Sequence, residues 1–296
     1  MIKNGLHPLP KDDRDLQLGS IFNLPDLSEL PKEFIINLPK VKQQFNSDFC
    51  AAFSSCLISE LQENVELCPE WTFAVAKSIS GNVDNYGTDL RSICKAHQKF
   101  GAIELNDSPY SLEKGQSSDF LRRIENWPKD LFNKALVHRK QSYFSVTGPY
   151  DHFDNIRATM WKFKDEKCGV LFGVLWAWSL SDVLVNTVKN NGSGHALAQI
   201  GFSNYLFEGH EIPTIFVQNS FGTETGLNGR HYFTREVINA FVDKYGAFMF
   251  HDMPVDQARN AIKYNLREND DWIDVFVKKC FFFLKNQLSR HFSTVK

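Results

Sequence analysis

The chain has 296 residues, of which 43% are hydrophobic and 23% charged, so it can bury the core of one large domain or of two packed lobes. Its formal net charge of −2 leaves no surplus of basic side chains to neutralise a phosphate backbone, which disfavours a general nucleic-acid binder. The longest apolar run, residues 169–178, is far shorter than the roughly 20 residues of a membrane-crossing helix, so no membrane span is expected.

The first 40 residues carry five prolines and a charged run at positions 11–15, without a sustained hydrophobic period. Proline fixes φ and removes a hydrogen-bond donor, so this composition is typical of an extended segment. We therefore predict an N-terminal arm over residues 1–30. It contains no apolar stretch typical of a secretory signal, so we expect none, and the compartment stays open between a reduced, cytosolic type and a virion.

Helical spacing of apolar residues begins after residue 47. Ser47 or Asp48 is a suitable N-cap for the first helix, Pro69 suits the first turn of the second, and Gly101 ends the third. The predicted helices cover residues 49–61, 69–78, 88–100, 118–126 and 129–137.

Short runs of β-branched and aromatic residues follow Gly148-Pro149, separated by turns that contain Gly, Asn and Pro. A helix over residues 153–164 precedes them, and residues 255–292 return to a helical pattern. The predicted strands cover residues 170–176, 196–202, 214–218, 230–233 and 247–251.

This order of elements predicts how the chain is organised. Residues 31–252 form the main domain, with a helical lobe over about 45–148 and a strand-rich lobe over about 149–252. Residues 253–296 form a helical C-terminal extension. Helices followed by strands favour an α+β fold with a cleft between the two lobes.

The positions of the cysteines indicate one candidate catalytic residue. No Cys-x-x-Cys pair occurs, so a structural zinc site has little support, and the wide scatter is typical of reduced, buried thiols. Cys50 lies in the first turn of a predicted helix, where unpaired N–H groups and the helix dipole favour a thiolate. It is either a nucleophile or a buried core residue. The cysteines are at positions 50, 56, 68, 94, 168 and 280.

The residues around Cys50 favour the nucleophile. Residues 41–53, Val-Lys-Gln-Gln-Phe-Asn-Ser-Asp-Phe-Cys-Ala-Ala-Phe, resemble the active-site segment of papain-like cysteine peptidases, Val-Lys-x-Gln, a short loop and Cys-Trp-Ala-Phe. Gln44 precedes Cys50 by six residues, as the oxyanion-hole glutamine of that family does; only this spacing distinguishes it from Gln43. The resemblance implies that the Gln44 amide and the Cys50 backbone N–H would stabilise an oxyanion.

Two later segments resemble further motifs of this family and follow Cys50 in the same order as they do there. Residues 194–202 resemble its Gly/Asp-His-Ala strand, which implies that His195 is the general base and acid. Residues 217–222, Val-Gln-Asn-Ser-Phe-Gly, resemble its Asn-Ser-Trp-Gly motif, which implies that Asn219 orients the imidazole. His195 and Asn219 follow Cys50 by 145 and 169 residues. The family range is roughly 130–150, so a longer hairpin is expected before Asn219.

The resemblance covers about residues 30–252 and implies a papain-like two-lobe fold. In that fold a helical left lobe packs on a right lobe made of an antiparallel, barrel-like sheet, with the active site in the cleft. It further implies substrate contacts at Gly87, Gly194 and Ala196, a peptide or protein substrate, and no cofactor or metal. The His-His pair of the family's carboxydipeptidase branch is missing from the sequence, which favours an endopeptidase. Oligomeric state and substrate preference stay open.

The sequence departs from the family pattern in ways that raise specific expectations. Ala51 and Phe221 stand where the family has Trp; Phe221 should still cover the His–Asn pair as an apolar lid. Ser47 replaces a disulfide cysteine. Only about 30 residues precede the mature-like start, so we hypothesise that residues 1–25 lie along or near the cleft and restrict access.

Alternatives remain. A non-catalytic papain-fold scaffold or binding protein is the main one, although the complete Gln-Cys-His-Asn set argues against it. A transglutaminase-like acyltransferase would need Asp in place of Asn219. The aromatic cluster near residues 276–284 is expected to pack internally rather than to bind a partner. The remaining histidines, among them His97, His138, His152, His210 and His231, are interpreted as structural.

Overall fold

A computed structural model describes residues 5–265. The chain divides into two compact units, residues 1–253 and residues 254–296. In the second unit the structure describes one helix, Val255–Asn265, where the tail helix was predicted to begin. The rest of that prediction, the aromatic cluster near residues 276–284 and Cys280 lie outside the described residues.

The N-terminal arm packs against other residues of the chain, because several of its side chains are buried. Leu6, Leu18 and Ile21 are all buried. The Arg91 guanidinium forms a two-pronged ion pair with Asp15, with N–O distances of 2.7 and 2.9 Å. This pair anchors the middle of the arm to the helical part of the molecule. A two-residue strand, β1 (Phe34–Ile35), follows the arm.

Five helices follow between residues 50 and 135, close to the predicted ones. Pro69 begins the second helix as expected, and Asp89 caps the third by accepting from the Ser92 N–H at 2.9 Å. The N-cap predicted for the first helix was wrong: Phe49 holds that position without a side-chain bond. The helices are α1 (Cys50–Glu63), α2 (Pro69–Ser80), α3 (Leu90–Lys99), α4 (Ser118–Leu121) and α5 (Leu131–Ala135).

The second part of the unit is built around one sheet. Three of its elements, β2, β4 and α7, were not identified from the sequence. The elements are β2 (Ser142–Ser145), α6 (His152–Lys162), β3 (Leu171–Trp176), β4 (Leu184–Val185), β5 (Ser193–Phe207), β6 (His210–Gln218), β7 (Arg230–Thr234), α7 (Arg235–Tyr245) and β8 (Ala247–His251). The final helix is α8 (Val255–Asn265).

Among the described residues, eight strands form this sheet in the order β2-β8-β3-β5-β6-β7-β4, with β1 paired to β5. All neighbours are antiparallel except β4 and β7. β5 and β6 form a long hairpin that extends to Phe207 opposite His210, which confirms the longer hairpin expected before Asn219. The long strand β5 is central because it pairs with β3 and β6 and also lies against α1, so it connects the sheet to the first helix.

Candidate active site

Cys50 is the first residue of α1 and is completely buried. Burial raises the pKa of the Cys50 thiol to about 11, against the opposing effect of backbone N–H groups of Ala196, Gly5 and Ala51. Ser54, one turn further along α1, donates from Oγ to the Ala196 carbonyl oxygen at 2.9 Å. These contacts place Cys50 beside the segment of β5 that carries His195.

His195 lies in β5, opposite Val174 of β3, and its ring is fully buried. Its Nε2 is 2.8 Å from Asn219 Oδ1. An amide oxygen can only accept, so Nε2 carries the proton and Nδ1 of the neutral ring keeps a lone pair. Within the described part of the chain, Nδ1 has no hydrogen-bond partner. Burial lowers the pKa of His195 to about 4.

Gln44 is fully buried, and its backbone N–H donates to the carbonyl oxygen of Ser220, the residue after Asn219, at 2.8 Å. Its Nε2 donates to the Ser47 carbonyl oxygen at 2.9 Å, and its Oε1 accepts from Ser220 Oγ at 2.5 Å. The Gln44 amide thus donates one of its two hydrogens within the chain, to Ser47. Gln43 instead directs its amide to the Phe221 carbonyl oxygen at 3.0 Å. Ser220 was not identified from the sequence, although it belongs to the Asn-Ser-Phe-Gly motif.

Aromatic rings cover the His195–Asn219 bond. Phe221 stacks on His195 with ring centroids 4.6 Å apart and an angle of 13° between the planes. This confirms the expectation that Phe would provide the cover where the family has Trp. Trp176, at the end of β3, adds a second ring edge-on to His195 at 5.4 Å. This Trp176 contact was not predicted, because it depends on the pairing of β3 with β5.

The tip of the arm lies against the residues expected to bind substrate. Leu6 N–H donates to the Gly194 carbonyl oxygen at 2.9 Å. Thr88 N–H donates to the Gly5 carbonyl oxygen at 2.8 Å, and His7 N–H donates to the Thr88 carbonyl oxygen at 2.9 Å. Leu6 and Thr88 are thereby paired as in a parallel ladder. The Gly5 N–H also hydrogen-bonds to the Cys50 sulfur, so the arm tip covers Cys50.

Gly87 and Ala196, which were predicted to contact substrate, have main-chain partners within the chain. The Gly87 N–H donates to the Asp48 carboxylate, and its carbonyl oxygen accepts from Lys77 Nζ at 2.7 Å. Both main-chain groups of Gly87 are thus engaged within the chain, and the neighbouring Thr88 pairs with the arm. The Ala196 N–H hydrogen-bonds to the Cys50 sulfur, and the Ala196 carbonyl oxygen accepts from Ser54 Oγ. These contacts are with α1 rather than with the arm.

The Asp48 carboxylate, which accepts from the Gly87 N–H, also forms a buried ion pair with Arg122. The carboxylate is fully buried, and Arg122 Nη2, whose side chain is 8% exposed, lies 3.3 Å from Oδ1. We predict that Arg122→Met lowers the free energy of unfolding by about 3 kcal/mol, because it leaves a buried carboxylate without its cation. Urea denaturation measures this change.

The neighbouring arginine provides a matched control. Arg123 pairs with Asp84, but these side chains are 41% and 82% exposed. Arg123→Met should change the free energy of unfolding by less than about 1 kcal/mol, because exposed pairs contribute little. Equal losses in the two variants would contradict the special role of the Arg122 pair.

The described part of the chain has neither a metal-binding cluster nor a membrane-spanning helix. Among residues 5–265 no group of three or more His, Cys, Asp or Glu side chains is arranged to hold a metal ion. In the same residues no helix is both long enough and apolar enough to cross a bilayer. The five cysteines in this part of the chain are free and buried.

Comparison with known proteins identifies the fold. Neither models of protein families nor curated protein sequences match the chain. Solved structures do. Xylellain, a cysteine protease from Xylella fastidiosa, aligns with a TM-score of 0.67 at 16% identity, covering 84% of this chain and 96% of that one.

Two further structures are similar. Digestive procathepsin L 3 from the larval midgut of Tenebrio molitor gives a TM-score of 0.61 at 14% identity, covering 83% of this chain and 75% of that one. Procathepsin B S9 from Trypanosoma congolense gives 0.56 at 13% identity, covering 82% and 81%. The mixed helices and the large, mostly antiparallel sheet described above thus form the papain-like α+β fold that these cysteine proteases share.

Proposed function

We propose that the chain is a cysteine peptidase that hydrolyses peptide bonds through Cys50, His195 and Asn219. The observation that carries the proposal is the hydrogen bond from His195 Nε2 to Asn219 Oδ1 at 2.8 Å, which leaves a buried, unpartnered Nδ1 on the strand beside Cys50. A base held in this tautomer can take the thiol proton. The fold shared with cysteine proteases supports the same conclusion.

The reaction proceeds in two halves. In the first, His195 Nδ1 takes the Cys50 proton and the thiolate attacks the scissile carbonyl carbon, while the free N–H of Gln44 and the Cys50 backbone N–H stabilise the oxyanion. His195 then gives the proton to the leaving amine, and a thioester remains. In the second half His195 removes a proton from water, which attacks the thioester and releases the acid and the Cys50 thiol.

The arm keeps the enzyme closed in this proposal. With Gly5 above Cys50, the thiol pKa is about 11 and the imidazole pKa is about 4, so both groups are neutral. Displacing the arm would admit water, weaken the effect of burial on both groups and favour the thiolate–imidazolium pair. The bonds from Gly5, Leu6 and His7 to Thr88 and Gly194 support this role.

We propose an endopeptidase rather than an exopeptidase, because the sequence contains no His-His pair of the kind that blocks one end of the cleft. An internally quenched peptide with both termini blocked tests this choice. Cleavage inside the blocked peptide is expected. Hydrolysis restricted to peptides with a free terminus would contradict it.

Labelling with a thiol-directed epoxide peptide tests the proposed function itself. We expect modification of Cys50 alone among the six cysteines once the arm tip is displaced, as in Leu6→Asp, because displacement uncovers Cys50 while the other described thiols stay buried. Peptide mass mapping identifies the labelled residue, and Cys50→Ser should abolish labelling. Slow, uniform labelling of several cysteines without hydrolysis of any peptide would refute the proposal.

A further inference from the structure

Asn219 has a second histidine partner, His231 in β7, whose ring is fully buried. His231 Nε2 lies 3.3 Å from Asn219 Nδ2, and His231 Nδ1 lies 2.6 Å from the Asp182 carbonyl oxygen. A carbonyl oxygen only accepts, so Nδ1 carries the proton. Nε2 of the neutral ring therefore accepts from the Asn219 amide.

This contact determines which end of the Asn219 amide faces His195. The oxygen already accepts from His195 Nε2 and from the Ser220 N–H, each at 2.8 Å. If the amide rotated by half a turn, its oxygen would meet the lone pair of His231 Nε2 and its NH₂ group would meet two donors. The tautomer of His231 and the orientation of Asn219 thus reinforce each other.

The fold leaves a fitted space for the His231 ring. Gly226 has φ of +48°, and a Cβ there would lie 2.6 Å from His231 Cε1 and 2.7 Å from Nδ1. Trp176 lies edge-on to the same ring at 5.2 Å. Burial lowers the pKa of His231, which keeps the ring in the neutral form that accepts from Asn219.

We propose that His231 is a positioning residue for peptide hydrolysis: by accepting from Asn219 Nδ2 it holds Oδ1 toward His195 and so keeps the lone pair of His195 on Nδ1. This inference rests on the proposed peptidase function. It changes the interpretation of His231 from a structural histidine to a member of a chain that runs from the Asp182 carbonyl group through His231 and Asn219 to His195.

Kinetics of His231→Leu and His231→Gln test the proposal. Leu keeps the apolar bulk but leaves the Asn219 NH₂ group unpaired, so kcat should fall by about 10- to 100-fold with little change in KM. Gln carries an amide oxygen that can accept in place of Nε2 and should recover most of the lost kcat. Thermal unfolding of each variant checks that both fold.

A double-mutant cycle separates positioning from a general structural effect. In an Asn219→Ala background, His231→Leu should cause no further loss of kcat, because the group it positions is gone. An equal loss in both backgrounds, or an unchanged kcat for His231→Leu alone, would overturn the proposal.

Imidazole ¹⁵N chemical shifts test the same inference without turnover. We expect His231 with its proton on Nδ1 and His195 with its proton on Nε2 in the unmodified protein, and a mixture of His195 tautomers in His231→Leu. A proton on His231 Nε2 would overturn the inference even if the enzyme is active. Absence of hydrolysis together with the expected tautomers would instead contradict the proposed function.

Discussion

Replacing Cys50 by serine should lower kcat/KM for a peptide substrate by about 10⁴- to 10⁶-fold, the loss typical of removing a catalytic nucleophile. A serine hydroxyl is a much weaker acid than a thiol, and the His195–Asn219 pair offers an amide rather than a carboxylate to stabilise an imidazolium. Steady-state hydrolysis of an internally quenched peptide measures the effect.

Cys56 provides the control, because it lies on the same helix, is also fully buried and differs in its surroundings. Its Sγ is 3.3 Å from Thr72 Oγ1, a contact that a serine hydroxyl can keep. Cys56→Ser should therefore retain hydrolysis within a few-fold. If Cys50→Ser retained full biological activity while hydrolysis was lost or never present, a binding or scaffold role of this fold would be the better explanation.

The second large effect is expected from Leu6→Asp in the arm tip. Leu6 is 4% exposed, and its side chain lies against Gly173 and Tyr245. Losing the burial of a leucine side chain weakens docking of the tip by about 1.5–3 kcal/mol, and a carboxylate there adds a desolvation cost. Hydrolysis by the variant should exceed that of the unmodified chain by about 10- to 100-fold, since each 1.4 kcal/mol corresponds to tenfold.

Pro8→Asp is the matched control, because it introduces the same charge two residues later at an exposed position. It should leave hydrolysis unchanged. A point substitution is preferred to deletion of residues 1–25, since Leu18 and Ile21 are buried and Asp15 pairs with Arg91. Deletion would expose the core as well as the cleft. Equal rates for Leu6→Asp, Pro8→Asp and the unmodified chain would contradict the closed-arm hypothesis.

The pH dependence of Cys50 alkylation also measures displacement of the arm tip. With the arm docked, the pKa of the Cys50 thiol is about 11, so the thiolate is scarce at neutral pH and increases only as the pH approaches that value. Opening the site reduces the burial that raises this pKa. Leu6→Asp should therefore shift the alkylation profile toward lower pH, while Pro8→Asp should not.

The main helices and strands were largely predictable because their signals are local. Pro69 marks the start of α2, and the β8 boundaries, Ala247–His251, agree with the predicted range. The N-cap of α1 was not predictable, since the Asp48 carboxylate bonds to Gly87 and Arg122, which are distant in sequence. Its tertiary partners prevented the local capping bond that the sequence suggested.

In the candidate site, too, some residues were predictable from local motifs and others depend on contacts between distant parts of the chain. The motifs predicted Cys50, Gln44, His195 and Asn219 as candidate site residues without knowledge of the fold. The partners of Asn219 beyond His195 were not visible, because His231 reaches it only after the chain turns back through Gly226 into β7. Side chains that support a site from a neighbouring strand carry no spacing rule that a single sequence can reveal.

The burial of Cys50 beneath Gly5 also bears on how the protein withstands oxidants. Peroxides react with thiolates and need access to the sulfur, and the closed site provides neither. Conversion of Cys50 to its sulfenic or sulfinic acid would thus require the same displacement of the arm that, in the proposed function, admits substrate. Under the proposed function we therefore expect the chain with the arm docked to keep its Cys50 thiol without added reductant, and a chain with the arm displaced to lose hydrolysis to peroxide unless a thiol is supplied.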